Sequence, residues 1–174
     1  ADADYHFLGE DVGDQAGLSI DISGDVDGDG RNDLLIGAPY NDDNGTGAGK
    51  AYIVLGTSLG INTTIDLSNA DYQFTGVTTL DYAGTEVAYA GDVDGDGLDD
   101  ILIGAPSSTT STSPHEGKAY LIKASTLSSN ATISLSNADH TFVGEEVGDL
   151  AGTSLSTAGD VDGDGLDDIL IGAP

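Results

Sequence analysis

Between Gly17 and Asp25 the chain alternates, with Leu18, Ile20 and Ile22 set between Ser19, Asp21 and Ser23. A period of two puts the apolar side chains on one face of an extended strand. From Asp33 to Pro39 the sequence DLLIGAP replaces alternation with a continuous apolar run stopped by Gly-Ala-Pro. That pattern predicts a strand covered on both faces. KAYIVLG (Lys50–Gly56) predicts a third strand, and NADYQFTG (Asn69–Gly76) a fourth that ends at Phe-x-Gly. No segment carries a helical stripe, and the 26 glycines, mostly at turns, suit many short strands.

The whole pattern returns. Asp92 follows Asp25 by 67 residues and Asp160 follows Asp92 by 68. Phe7, Phe74 and Phe142 keep this step, as do Gly17, Gly84 and Gly152. GKAYIVLG comes back as GKAYLIKA and IDLSNADYQF as ISLSNADHTF. The extra residue falls between Pro106 and Lys118, in SSTTSTSPHE, as expected of a surface loop. The predicted order is a lone fourth strand in ADADYHFLG, two complete four-stranded units, and the first two strands of a third unit, eleven strands in all.

Between the first and second strand of each unit lies an acidic loop with the spacing D-x-D-x-D-G-x-x-D. Like charges this close repel unless a cation or another partner offsets them. Calcium takes six to eight oxygen ligands, and alternate side chains of a tight loop converge on one centre. Positions one, three and five supply carboxylates and position six is the turn glycine. Position seven offers only its carbonyl, and position nine closes the shell with both carboxylate oxygens. The first site is then Asp25, Asp27, Asp29, the Arg31 carbonyl and Asp33. The second is Asp92, Asp94, Asp96, the Leu98 carbonyl and Asp100. The third is Asp160, Asp162, Asp164, the Leu166 carbonyl and Asp168. Solvated Asp-Gly turns would explain one copy; three copies with the ligand spacing intact favour three calcium ions. The loop resembles an EF-hand for nine positions and then departs, because position twelve is Ile36, Ile103 or Ile171 instead of Glu. Magnesium, which demands a small octahedral shell and keeps its waters, fits less well.

Charge points the same way. The chain of 174 residues carries 31 acidic and 4 basic side chains, a net charge of -27. Phosphate recognition needs Lys and Arg, so nucleic acid and anionic membrane surfaces are excluded as partners. No apolar run reaches the ~20 residues of a membrane span. There is no Cys, hence no disulfide frame or thiolate site. His6, His115 and His140 share no ligand spacing, and no carboxylate pair sits beside a nucleophile or oxyanion device, so an enzyme is not expected. Asn44, Asn62 and Asn130 fit the glycosylation acceptor pattern.

A Phe-x-Gly, an acidic loop and GDVDGDGRNDLLIGAP, echoed twice as GDVDGDGLDDILIGAP, resemble the FG-GAP repeat of integrin alpha subunits and many bacterial surface proteins. The resemblance implies an all-β fold of propeller-type blades, each of four antiparallel strands, with calcium in the loop between a blade's first two strands. It divides the chain into 1–9, the last strand of a preceding blade; 10–76, repeat one; 77–144, repeat two; and 145–174, the first half of repeat three. It implies an extracellular or cell-surface module for adhesion, protein interaction or surface assembly. The expected partners are calcium, a protein or glycan ligand on a cell surface, neighbouring repeats, and head-to-tail copies of the chain itself. A carbohydrate-binding propeller and an accessory domain of a larger secreted enzyme are the alternatives.

Overall fold

A computed structural model describes residues 3–60, 63–107, 109–110, 113–114, 116–127 and 132–174. His115, Asn62 and Asn130 lie outside them. Chain order is β1 (His6–Leu8), β2 (Ile20–Asp21), β3 (Leu34–Ala38), β4 (Lys50–Val54), β5 (Thr64–Asp66), β6 (Tyr72–Thr75), β7 (Glu86–Gly91), β8 (Asp100–Ala105), β9 (Thr109–Thr110), β10 (Ser113–Pro114), β11 (Lys118–Ile122), β12 (Thr132–Ser134), β13 (His140–Val143), β14 (Ser154–Gly159) and β15 (Asp168–Gly172). The fold is all-β and mostly antiparallel.

The first unit forms the sheet β2-β3-β4-β6, the second β7-β8-β11-β13, and the third the pair β14-β15. Among the described residues these sheets do not close into a ring. Four strands exceed the predicted eleven. β9 and β10 pair antiparallel within the longer loop of the second unit. β5 and β12 pair in parallel with the outer strand of the unit before: β12 adds to β6 through Phe74↔Ile133, and β5 adds to β1 through Phe7↔Ile65. The N-terminal strand, expected to stand alone, therefore has a partner within the chain. At three residues each, β5 and β12 are too short to show a period.

Neighbouring units pack face to face. Val26, Leu35, Ile53 and Phe74 of the first unit share a core with Val87, Tyr89, Ile101 and Ile103 of the second. Leu102, Ala119 and Leu121 of the second meet Leu155, Ile169 and Ile171 of the third. The close approach depends on glycine. A Cβ on Gly37 would overlap the carbonyl oxygen of Gly84, and one on Gly104 that of Gly152. This accounts for the glycine in the first two Ile-Gly-Ala-Pro segments. On the outer face of the first unit Phe7, Ala16 and Ile65 pack on the buried Ile36 and Tyr52, but among the described residues no unit covers β2 there, so Ile20 is 64% exposed where its counterpart Val87 is 3%.

Candidate metal sites

Each acidic loop hangs on the same pair of strands: β2 and β3, β7 and β8, β14 and β15. The first Asp organises it. Asp25 Oδ1 accepts the N–H of Gly28 (2.8 Å) and of Asp29 (3.1 Å), and Oδ2 accepts that of Gly30 (2.8 Å). Asp92 holds Gly95, Asp96 and Gly97 in the same way, and Asp160 holds Gly163, Asp164 and Gly165. Gly28 and Gly30 sit at φ +72° and +84°, a left-handed backbone that turns successive N–H groups toward one carboxylate. Asp27 Oδ1 accepts the N–H of Asp29, and Asp29 Oδ1 that of Arg31.

Three of the four predicted carboxylates in each loop come together, and Asp33, Asp100 and Asp164 lie outside these groups. Asp25, Asp27 and Asp29 have carboxylate oxygens within 4.8 Å of one another, as do Asp92, Asp94 and Asp96, and Asp160, Asp162 and Asp168. Two oxygens on one calcium ion lie no more than about 5 Å apart, twice the metal–oxygen distance. The donor spacing and the all-oxygen chemistry therefore fit a hard divalent cation.

Position nine has a structural job. Asp33 is fully buried; its Oδ2 accepts the N–H of Val26 and its Oδ1 that of Gly56, both at 2.8 Å. Asp100 does the same for Val93 and Ala124. The carboxylate thus ties the loop to the end of the third strand, and its oxygens face donors on two different segments. The expectation that both oxygens turn to the loop centre meets this competing use. In the second loop Lys123 Nζ lies 3.1 Å from Asp94 Oδ2, a counter-charge the spacing did not foretell.

Adjacent loops also touch. Asp99, at position eight of the second loop, accepts the Asp25 N–H at Oδ2 (2.8 Å) while its own N–H donates to the Asp25 carbonyl (3.1 Å). Asp167 grips Asp92 through the same two bonds, each 3.0 Å. Leu98 lies against Gly28 of the preceding loop and Leu166 against Gly95. Position eight reads Asn32, Asp99, Asp167, and ligand spacing alone gives it no role.

Residues 16–54, 83–122 and 151–174 match the FG-GAP repeat, and each match contains one acidic loop with its flanking strands. The chain belongs to the FG-GAP repeat family. It is 34% identical to phosphatidylinositol-glycan-specific phospholipase D of Mus musculus over 87% of its own length and 18% of that protein. It is 34% identical to integrin alpha pat-2 of Caenorhabditis briggsae, over 87% of this chain and 12% of the relative. Integrin alpha-PS2 of Drosophila melanogaster is 33% identical over 88% and 10%. The chain thus spans less than a fifth of each of these relatives.

The FG-GAP loops set their own proton affinities. Burial pushes Asp100 up to about 6 against the hydrogen bonds from Ala124 and Val93. Burial also raises Asp33 and Asp27. Asp92 goes the other way: slight burial works against it, but N–H groups of Gly97, Gly95, Asp96 and Asp94 hold it below the usual carboxylate range. A carboxyl raised in the folded state stabilises the fold while protonated, and that contribution is lost as pH climbs through the folded value. Lowered carboxyls act oppositely, but only below about pH 4. The metal-free chain is therefore expected to melt higher at about pH 5.5 than at about pH 7.5. Scanning calorimetry at the two values checks this, and a lower melting temperature at the acid value contradicts it.

Proposed function

We propose that the chain is a non-catalytic, extracellular, calcium-stabilised interaction module that serves cell-surface adhesion or surface assembly. The observation that carries this reading is the threefold loop: on the corresponding pair of strands in each unit, three carboxylates converge, at positions one, three and five in the first two loops and at one, three and nine in the third. Calcium would be held by the Asp side chains at positions one, three, five and nine and by the carbonyls of Arg31, Leu98 and Leu166. Its charge would offset the carboxylate repulsion and fix the turns between the strands. Integrin alpha chains among the relatives support an adhesive setting, with a protein or glycan on a cell surface as ligand. The phospholipase D relative supports a second reading, an accessory domain beside a secreted enzyme.

Titration calorimetry of the chelated chain is expected to give three calcium ions per chain. Without the bidentate Glu of an EF-hand, affinity falls in the extracellular class, about 10⁻⁴ to 10⁻³ M. Asp27→Ala removes one first-loop ligand and is expected to reduce the count to two, while the exposed Asp11→Ala keeps three. Three ions retained by Asp27→Ala remove Asp27 from the ligands, and no uptake by the unaltered chain shows that the loops are ordinary turns.

A further inference from the structure

We propose that the three loops are coupled in series, with the position-eight Asp of each loop positioning the first ligand residue of the loop before it. The proposal rests on the calcium reading above. Asp99 and Asp167 are positioning residues: they touch the backbone of Asp25 and Asp92, not the ion.

The geometry carries the argument. Asp99 engages Asp25 on both sides of its Cα, through the N–H and the carbonyl. The residue so held is the hub whose carboxylate accepts Gly28, Asp29 and Gly30. Fixing its backbone removes freedom that a metal would otherwise have to freeze on binding. Asp99 itself lies between Leu98, the carbonyl ligand of the second loop, and Asp100, its closing carboxylate. An ion in the second loop would hold both neighbours of Asp99 and so steady the clip on the first. By linkage, an ion in the first loop favours the second equally. Leu98 against Gly28 adds an apolar contact beside the clip. The second and third loops repeat every part of this through Asp167, Asp92, Leu166 and Gly95. The third loop has no following unit among the described residues, so Asp160 serves as the internal comparison: its site is expected to fill last.

The test is a calcium titration of the full chain followed by two-dimensional amide NMR. Gly30, Gly97 and Gly165 donate to the hub carboxylates of the three loops and report each site separately. In the unaltered chain the Gly165 midpoint is expected at the highest calcium. Asp99→Ala is expected to move the Gly30 midpoint to about tenfold higher calcium, as loss of an outer-shell partner does, and to leave Gly165 in place. Asp167→Ala does the same to Gly97 and is the parallel test if Asp99→Ala does not fold. Asp99→Asn keeps an acceptor for the Asp25 N–H without the charge and is expected to restore most of the loss. A Gly30 midpoint unmoved in Asp99→Ala overturns the coupling and leaves the calcium reading standing. So does an equal shift at all three glycines, which marks general destabilisation, or an Asn variant as weak as Ala, which marks lost charge alone. Absence of any calcium response in the unaltered chain overturns the calcium reading and the coupling together.

Discussion

Excess chelator is expected to lower the melting temperature of this chain steeply, and added calcium to restore it where magnesium does so poorly. Three loops each gather carboxylates whose oxygens lie within 4.8 Å of one another. Without an ion, turn N–H groups and, in the second loop, Lys123 are what the described residues set against their repulsion. A ligand that binds only the folded state stabilises it by mass action. At calcium about 10- to 100-fold above the dissociation constant each site contributes about 1.4 to 2.7 kcal/mol, so three sites give about 4 to 8 kcal/mol. At about 2 to 4 °C per kcal/mol for a chain of this size, the expected fall is on the order of 10 to 30 °C. A thermal melt followed by circular dichroism decides it, and an unchanged melt in chelator removes calcium from the stability of this fold.

The second large effect is expected from Gly104→Ala. Gly104 lies in β8 between Glu86 of β7 and Ala119 of β11, at the centre of the second sheet. An added methyl would overlap the carbonyl oxygen of Gly152, with the carbon of that group at 3.1 Å and the Glu86 carbonyl at 3.4 Å. These atoms are backbone, and no rotamer change moves them. The third unit must shift off the second, which opens the contact around Leu102, Leu121 and Leu155. Overpacking of this kind costs about 3 kcal/mol, and about 6 to 12 °C in the melting temperature. Gly60→Ala, where nothing lies within 4 Å, is the control and stays within about 0.5 kcal/mol of the parent. Melts of the two variants that coincide in calcium show that the sheets can part at that point without loss.

The loops and the strands that flank them were legible in the sequence. Ligand spacing is set by how a tight turn presents alternate side chains, and the apolar run after each loop is set by burial on two faces. β3 and β15 fall where DLLIGAP and DDILIGAP place them. β5 and β12 were not legible, because three residues carry no period and their parallel partners belong to another unit. The clip by Asp99 and Asp167 was hidden for a related reason: a side chain that serves the preceding loop obeys no spacing within its own.

Two segments separate what sequence alone determined from what the tertiary structure decided. Gly91–Pro106 and Gly159–Pro174 are identical in all 16 residues. Both form the same loop, the same hub hydrogen bonds and the same second strand, because those depend on neighbours along the chain. Yet Leu102 is fully buried and its twin Leu170 is 60% exposed. The Asp92 N–H is gripped by Asp167, while among the described residues no side chain accepts the Asp160 N–H in the same way. Local geometry follows from backbone conformation and short-range hydrogen bonds, which identical residues repeat. Burial and the links between loops require a second surface at contact distance, and only the packing of one unit on the next provides it.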